Sequence, residues 1–226
     1  MLNIETHRQQ LSRILLALIS DKMLAARLGF KGGTALYFFE ELPRFSTDLD
    51  FDLIGETDPT LEKTIRSIVA EYLTIVDEKT KRFTWFWQGS YGKGEAKIKV
   101  EVNTRKYPNY YETRDWRGYG VKVMVKEDML AHKLCAITDR KKLQNRDLYD
   151  AWWMLKRGWE ANEEIIQLRT DMKLKAYWKI LLAKLRALPV KYDVLAGLGE
   201  VMSQSQKDWV KAKLRTSLEL ELASRL

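Results

Sequence analysis

What the chain lacks narrows it first. It has one cysteine, Cys135, so no internal disulfide can form. Leu134, Ala136 and Ile137 flank it on what reads as a buried helix face, so a packed thiol is expected rather than a nucleophile. The two histidines, His7 and His132, are far apart, which argues against a histidine-rich zinc site. No run approaches the roughly 20 apolar residues of a membrane span, so no membrane partner is expected. The N-terminus has no compact apolar core followed by a small-residue cleavage site, so no secretory signal is evident and the cytoplasm is the expected location. Repeats and low-complexity tracts are absent, and the apolar and charged fractions carry no sign of disorder.

What is present is a chain of 226 residues, long enough for one large domain or two small ones. Its formal charge is +8 and its pI about 9.4, which favours a polyanionic partner such as RNA, DNA or a nucleotide, though a basic surface also serves solubility.

Residues 4–28 read as one helix, with Leu11, Ile14, Leu15 and Leu18 forming an apolar stripe and Gly29 as its stop. A short helix is expected from Thr34 to Leu42, ended by Pro43. From Asp48 to Ile54 polar and apolar residues alternate, which gives a strand with Asp48, Asp50 and Asp52 on one face. Asp58 and Pro59 form an N-cap and N1 pair for a helix to about Val76. Residues 82–88 and 96–103 form a hairpin, with Val121, Val123 and Val125 marking one more strand. Beyond Glu127 only helices are expected: 128–141, 147–157, 163–171, 174–188 and 206–223. The composition therefore shifts near residue 126, from a mixed half to a helical half.

Three clusters suggest chemistry. Carboxylates two apart on a strand point the same way, with a rise of roughly 3.3 Å per residue, so Asp48 and Asp50 suit hard cations such as Mg²⁺. Glu101, on the polar face of the next strand pair, is the candidate third carboxylate; Asp52 reads as a spare surface or supporting acid. A solvent-facing acidic strand is the plain alternative, but aspartate is depleted in strands. The second cluster is Lys31-Gly-Gly-Thr34. Glycines let backbone N–H groups approach an anion at a helix start, the threonine hydroxyl can donate to phosphate, and Lys31 can add a charge. An ordinary turn capped by Thr34 is its alternative, and the acidic strand just downstream tips the balance towards phosphate. The third cluster is Lys133, inside an otherwise apolar helix, with Asp147 and Asp150 three apart on the next. It reads as a functional cation with its orienting acid, or as a salt-bridge network of Lys133 or Arg146 locking two helices. The tryptophans 152, 153, 159, 178 and 209 are expected in cores rather than stacked on bases. Lys173, Lys175, Lys179, Lys184 and Arg186 could form a stripe for RNA phosphates.

Taken in chain order the clusters resemble the AbiEii/AbiGii toxin family of nucleotidyltransferases, carried by Phe30-Lys-Gly-Gly-Thr-Ala-Leu36, Arg44-Phe-Ser46-Thr-Asp48-Leu-Asp50, Asp128-Met-Leu-Ala-His-Lys133-Leu and Arg146-Asp147-Leu-Tyr-Asp150. The resemblance implies an α+β fold, a polymerase-β-like core over residues 1–126 with a helical domain over 127–226 that supplies Lys133 and Asp147 to the cleft. It implies a toxin of a toxin–antitoxin or phage-defence system that transfers a nucleotide from a nucleoside triphosphate to RNA, in particular the tRNA 3′ end, and stops growth, with a separate antitoxin protein as partner. The residues it assigns are Asp48, Asp50, Lys133 and Asp147 for catalysis, and Lys31, Gly32, Gly33, Thr34, Arg44 and Ser46 for the nucleotide. Asp48 and Asp50, with Glu101 from strand geometry, would bind Mg²⁺ or Mn²⁺. A kinase using the same cradle, a non-catalytic RNA- or antitoxin-binding protein, and a transferase with a small-molecule acceptor such as an aminoglycoside are the rivals.

Overall fold

The expected hairpin is part of a larger sheet. The computed structural model describes residues 2–226, which divide into two units between Met124 and Val125. The first unit holds helices α1 (Ile4–Ser20), α2 (Lys22–Arg27), α3 (Gly32–Phe39) and α4 (Pro59–Tyr72). Its strands are β1 (Leu28–Lys31), β2 (Leu49–Leu53), β3 (Thr74–Lys81), β4 (Thr84–Ser90), β5 (Lys97–Asn103), β6 (Tyr111–Trp116) and β7 (Tyr119–Met124). They form one mixed sheet in the order β3-β4-β5-β2-β1-β7-β6, a mixed α/β architecture.

Three of these strands depart from the sequence expectation. The single helix to Leu28 breaks at Asp21, whose side chain caps α2 by accepting from Leu24 N. Gly29 is a strand residue, not a stop: a Cβ there would fall 2.1 Å from Tyr111 Cε1, so the ring packs directly on the glycine. β1 has four residues, too few to show a period, yet it lies inside the sheet, antiparallel to β2 and parallel to β7. β3 and β6 are the sheet edges, and their charged, exposed faces hide the alternation on which strand prediction depends.

The expected elements form for the anticipated reasons. Asp58 accepts from Thr60 N at 2.7 Å and Pro59 opens α4, which stops at Tyr72 because Leu73 turns extended towards β3. In β5 Ile98, Val100 and Val102 are buried while the residues between them are not. The Leu11, Ile14, Leu15 and Leu18 stripe of α1 is fully buried.

The second unit is helical throughout: α5 (Lys126–Asp139), α6 (Asn145–Lys156), α7 (Glu163–Thr170), α8 (Leu174–Arg186) and α9 (Gln204–Ala223), with a 3-10 turn at Gly199–Val201. Ser203 and Gln206 close a capping box on α9. Trp152, Trp153, Trp159 and Trp178 are buried in this unit, as core packing requires, and Trp209 lies 4.1 Å from Trp152 between ring centroids. Cys135 is fully buried, and burial pushes its thiol up to about 11, which makes it inert.

Candidate active site

Strand register brings the glycine turn onto the acidic strand. Lys31 is the cross-strand partner of Asp50, so the chain enters α3 at Gly32 beside that carboxylate. A Cβ on Gly32 would lie 2.5 Å from Asp50 Oδ2, and its φ of +79° is in the left-handed region, so the position takes glycine on two counts. A Cβ on Gly33 would come 2.7 Å from Ser46 Oγ and 3.0 Å from Arg44 Nη2. Four of the expected nucleotide-binding residues, Gly32, Gly33, Arg44 and Ser46, thus meet at the α3 N-terminus. Arg44 is buried, and its Nη1 donates to the Phe45 carbonyl at 3.0 Å.

The other two are engaged differently from expectation. Thr34 is fully buried and is not the cap of α3; its hydroxyl donates to the Asp48 carbonyl and so fastens α3 to the approach of β2. Lys31 Nζ lies 2.5 Å from Asp52 Oδ1. Asp52, expected as a spare surface or supporting acid, is buried and also accepts from Asn103 Nδ2 at 2.8 Å, Asn109 Nδ2 at 2.9 Å and Tyr111 OH at 2.9 Å, which makes it a supporting acid. Burial alone would raise its pKa. The charge of Lys31 and the bonds from Lys31, Asn103 and Tyr111 outweigh that and hold the carboxyl below its ordinary value. Asn103 stood on the expected polar face of β5; Asn109 and Tyr111 carried no sequence signal, because β6 itself went unseen.

Asp48 precedes β2, and its Oδ2 is 3.7 Å from Lys99 Nζ on β5. β2 and β5 are parallel with Asp50 opposite Glu101, which sets the candidate third carboxylate beside the second. Among the described residues no three His, Cys, Asp or Glu side chains draw together tightly enough to enclose a metal ion. An Mg²⁺ site needs no such cage, since one or two carboxylates with phosphate oxygens and water suffice. The all-oxygen donor set and the space kept clear at Gly32 fit that ion.

His7 is a supporting residue that composition did not reveal. It is fully buried, with Nε2 3.0 Å from the Thr47 carbonyl and Nδ1 3.1 Å from Tyr91 OH. A carbonyl only accepts, so Nε2 carries the proton and Nδ1 accepts from the tyrosine. It braces the segment that leads into Asp48.

In the second unit Lys133 Nζ lies 2.9 Å from Asp147 Oδ1 and 2.8 Å from Asp150 Oδ2. Arg140 Nε sits 2.9 Å from Asp147 Oδ2 at an angle that makes an ion pair but no hydrogen bond. The two carboxylates are 1% and 0% exposed and Lys133 15%. The expected Lys133–Asp147 pair is formed, and Asp150 shares it. His132 is half-buried, 2.7 Å through Nδ1 from Arg169 Nη1.

The pattern of the family described as nucleotidyl transferase AbiEii toxin, type IV TA system, matches residues 13–223. The chain belongs to that family. It is thereby a nucleotidyltransferase of a toxin type. No curated protein matches the chain. The AbiEii chain shares its fold with a candidate nucleotidyltransferase from H. pylori, at 24% identity over 97% of this chain and 96% of that one, TM-score 0.55. It is similarly close to JHP933 from Helicobacter pylori, at 23% identity over 100% and 96%, TM-score 0.55. An antigenic nucleotidyltransferase-like protein from Paracoccidioides brasiliensis matches at 15% identity over 87% and 94%, TM-score 0.54. No helix of this AbiEii member is long and apolar enough to cross a membrane among the described residues.

Proposed function

We propose that the protein transfers a nucleotide from a nucleoside triphosphate to RNA, in particular to the tRNA 3′ end, and so halts growth until an antitoxin protein neutralises it. One observation carries the reading: the glycine turn at the start of α3 is built in contact with Asp50, which sets a phosphate cradle against a metal-type carboxylate.

The backbone N–H groups of the first α3 turn point out of the helix end and take the triphosphate, helped by the helix dipole and by the Arg44 guanidinium. Ser46 shapes the same wall. Asp48 and Asp50, with Glu101 alongside, would hold a divalent cation, Mg²⁺ or Mn²⁺, which supplies charge neutralisation for the phosphates and lowers the pKa of the attacking hydroxyl. The acceptor hydroxyl attacks the α-phosphorus, its bond to phosphorus forms as the bond to pyrophosphate breaks, and pyrophosphate leaves with the electron pair. The protein contributes mainly positioning and electrostatics. Lys31 acts through Asp52, keeping β1 and β2 in register under the turn. The basic residues of α8 favour RNA over a small acceptor. Lys175, Lys179 and Arg186 on that helix are exposed.

Purified protein, total RNA, Mg²⁺ and a triphosphate labelled at the α-phosphorus test this. RNA carrying α-label is the expected result. Label reaching an acceptor only from the γ-phosphorus would identify a kinase, and metal-independent RNA binding without turnover would identify a binding protein.

A further inference from the structure

A second site lies at the other end of α3. A cavity of about 560 Å³ opens there, within the roughly 300–1,000 Å³ of small-ligand sites. Glu5, Arg8 and Ser12, which share one face of α1, line it on one side. Phe38 and Glu41 come from the end of α3, and Trp116 and Arg117 from the β6–β7 turn.

Three features of the lining point to a ligand. Among the described residues three buried side-chain polar atoms have no hydrogen-bond partner, and two of them, Ser12 Oγ and Trp116 Nε1, belong to this cavity's walls. Both are screened from solvent, so bulk water does not satisfy them, and an orphaned buried donor calls for an explanation. An indole N–H only donates and a serine hydroxyl can donate, so one acceptor-bearing ligand answers both once it displaces the side chains that screen them. Second, Phe38 and Trp116 stack at 4.4 Å with planes 18° apart, which makes a flat apolar wall. Third, the Arg117 guanidinium is exposed at the rim, 6.0 Å from the Trp116 ring centroid, whereas Arg8 is already held by Glu5 at 2.8 and 2.9 Å. Arg117 and Glu41 have φ of 56° and 61°, two of the three left-handed non-glycine residues described. The hairpin position of Arg117 ordinarily takes asparagine or glycine, and strain of this kind gathers at ligand-clamping positions.

We infer that this cavity binds a nucleotide. Its base lies against the Phe38–Trp116 wall, its sugar and phosphate oxygens at the ring edge accept from the Trp116 N–H and the Ser12 hydroxyl, and its phosphate meets Arg117. The cavity is separate from the phosphate cradle by the length of the eight-residue α3, about 12 Å. It does not depend on the transferase reading. The nucleotide is either free or one unit of an RNA strand.

Full-length protein labelled with 5-fluorotryptophan gives one fluorine resonance for each of eight tryptophans, and Trp116→Phe assigns that of Trp116. Titration with AMP or UMP in chelator-treated buffer is expected to shift that resonance saturably. Ser12→Ala and Arg117→Gln should each weaken binding about tenfold. Asp50→Ala should leave it unchanged, which separates this site from the cradle. Tighter binding of a short single-stranded RNA identifies a strand as the source, and equal or weaker binding identifies the free nucleotide. The inference is overturned if neither probe moves the Trp116 resonance at millimolar concentration, if inorganic phosphate alone moves it equally, if Ser12→Ala and Arg117→Gln both leave the titration untouched, or if Asp50→Ala abolishes it.

Discussion

Half-buried Lys31 and buried Asp52 form an ion pair, 2.5 Å between Nζ and Oδ1, next to the glycine turn. Asp52→Ala would leave that ammonium, two amides and a tyrosine hydroxyl without their acceptor. The expected cost is about 3–5 kcal/mol, as for removing one partner of a buried pair. It should appear as a lowered urea midpoint at unchanged slope. A cost near that of a surface contact would show that the network does not hold the sheet together.

Gly32 cannot carry a side chain without displacing Asp50. Gly32→Ala combines a 2.5 Å approach to Asp50 Oδ2 with a left-handed φ of +79°. The expected loss is about 1–3 kcal/mol in stability from the backbone strain and about 100-fold or more in nucleotide transfer from the displaced carboxylate. Circular dichroism and α-label incorporation on the same sample check both. Normal transfer by a folded Gly32→Ala protein would separate the turn from the chemistry.

Acid should weaken the first unit through His7. Burial lowers its pKa below 6.5, against the raising effects of the Thr47 carbonyl, Asp48 and Glu95. Between the folded and unfolded values the unfolded chain binds the extra proton, so this contribution is present above pH 6.5 and is lost as pH falls through the folded value. The urea midpoint is expected to fall between about pH 7.5 and about pH 5.5, and the part due to His7 to vanish in His7→Gln. A drop of the same size in His7→Gln would assign the acid sensitivity to other groups.

The Lys133 cluster should matter for folding as well as function. Lys133→Met leaves Asp147 and Asp150 buried together, with Arg140 the other cation placed on Asp147. Two close carboxylates without that ammonium should cost about 3–5 kcal/mol, seen as a lower melting temperature, and Asp150→Asn in the same background should recover part of it. An unchanged melting temperature in Lys133→Met would leave the cluster a purely functional role.

The sequence made the helical unit and the acidic strand legible because both carry their period openly. The apolar residues of α5 to α9 recur at helical spacing, and Leu49 and Phe51 alternate with aspartates. β1 was hidden by its four-residue length, and β3 and β6 by their exposed charges. Sequence likewise left open whether Asp52 is a surface or a supporting acid. Alternation puts it on the polar face with Asp48 and Asp50, but that face is covered at Asp52 by Tyr111, Asn103 and Asn109, residues distant in sequence. The gathering of Gly33, Arg44 and Ser46 likewise depends on tertiary contact, which spacing alone does not supply.

The central claim is that Asp48 and Asp50 serve nucleotide transfer beside the Gly32 turn. Its most direct test is α-label incorporation into RNA by the purified wild type and by Asp48→Ala and Asp50→Ala, each shown by circular dichroism to be folded. The account predicts labelled RNA from the wild type and none from either variant. Wild-type levels of labelled RNA from either folded variant would contradict it.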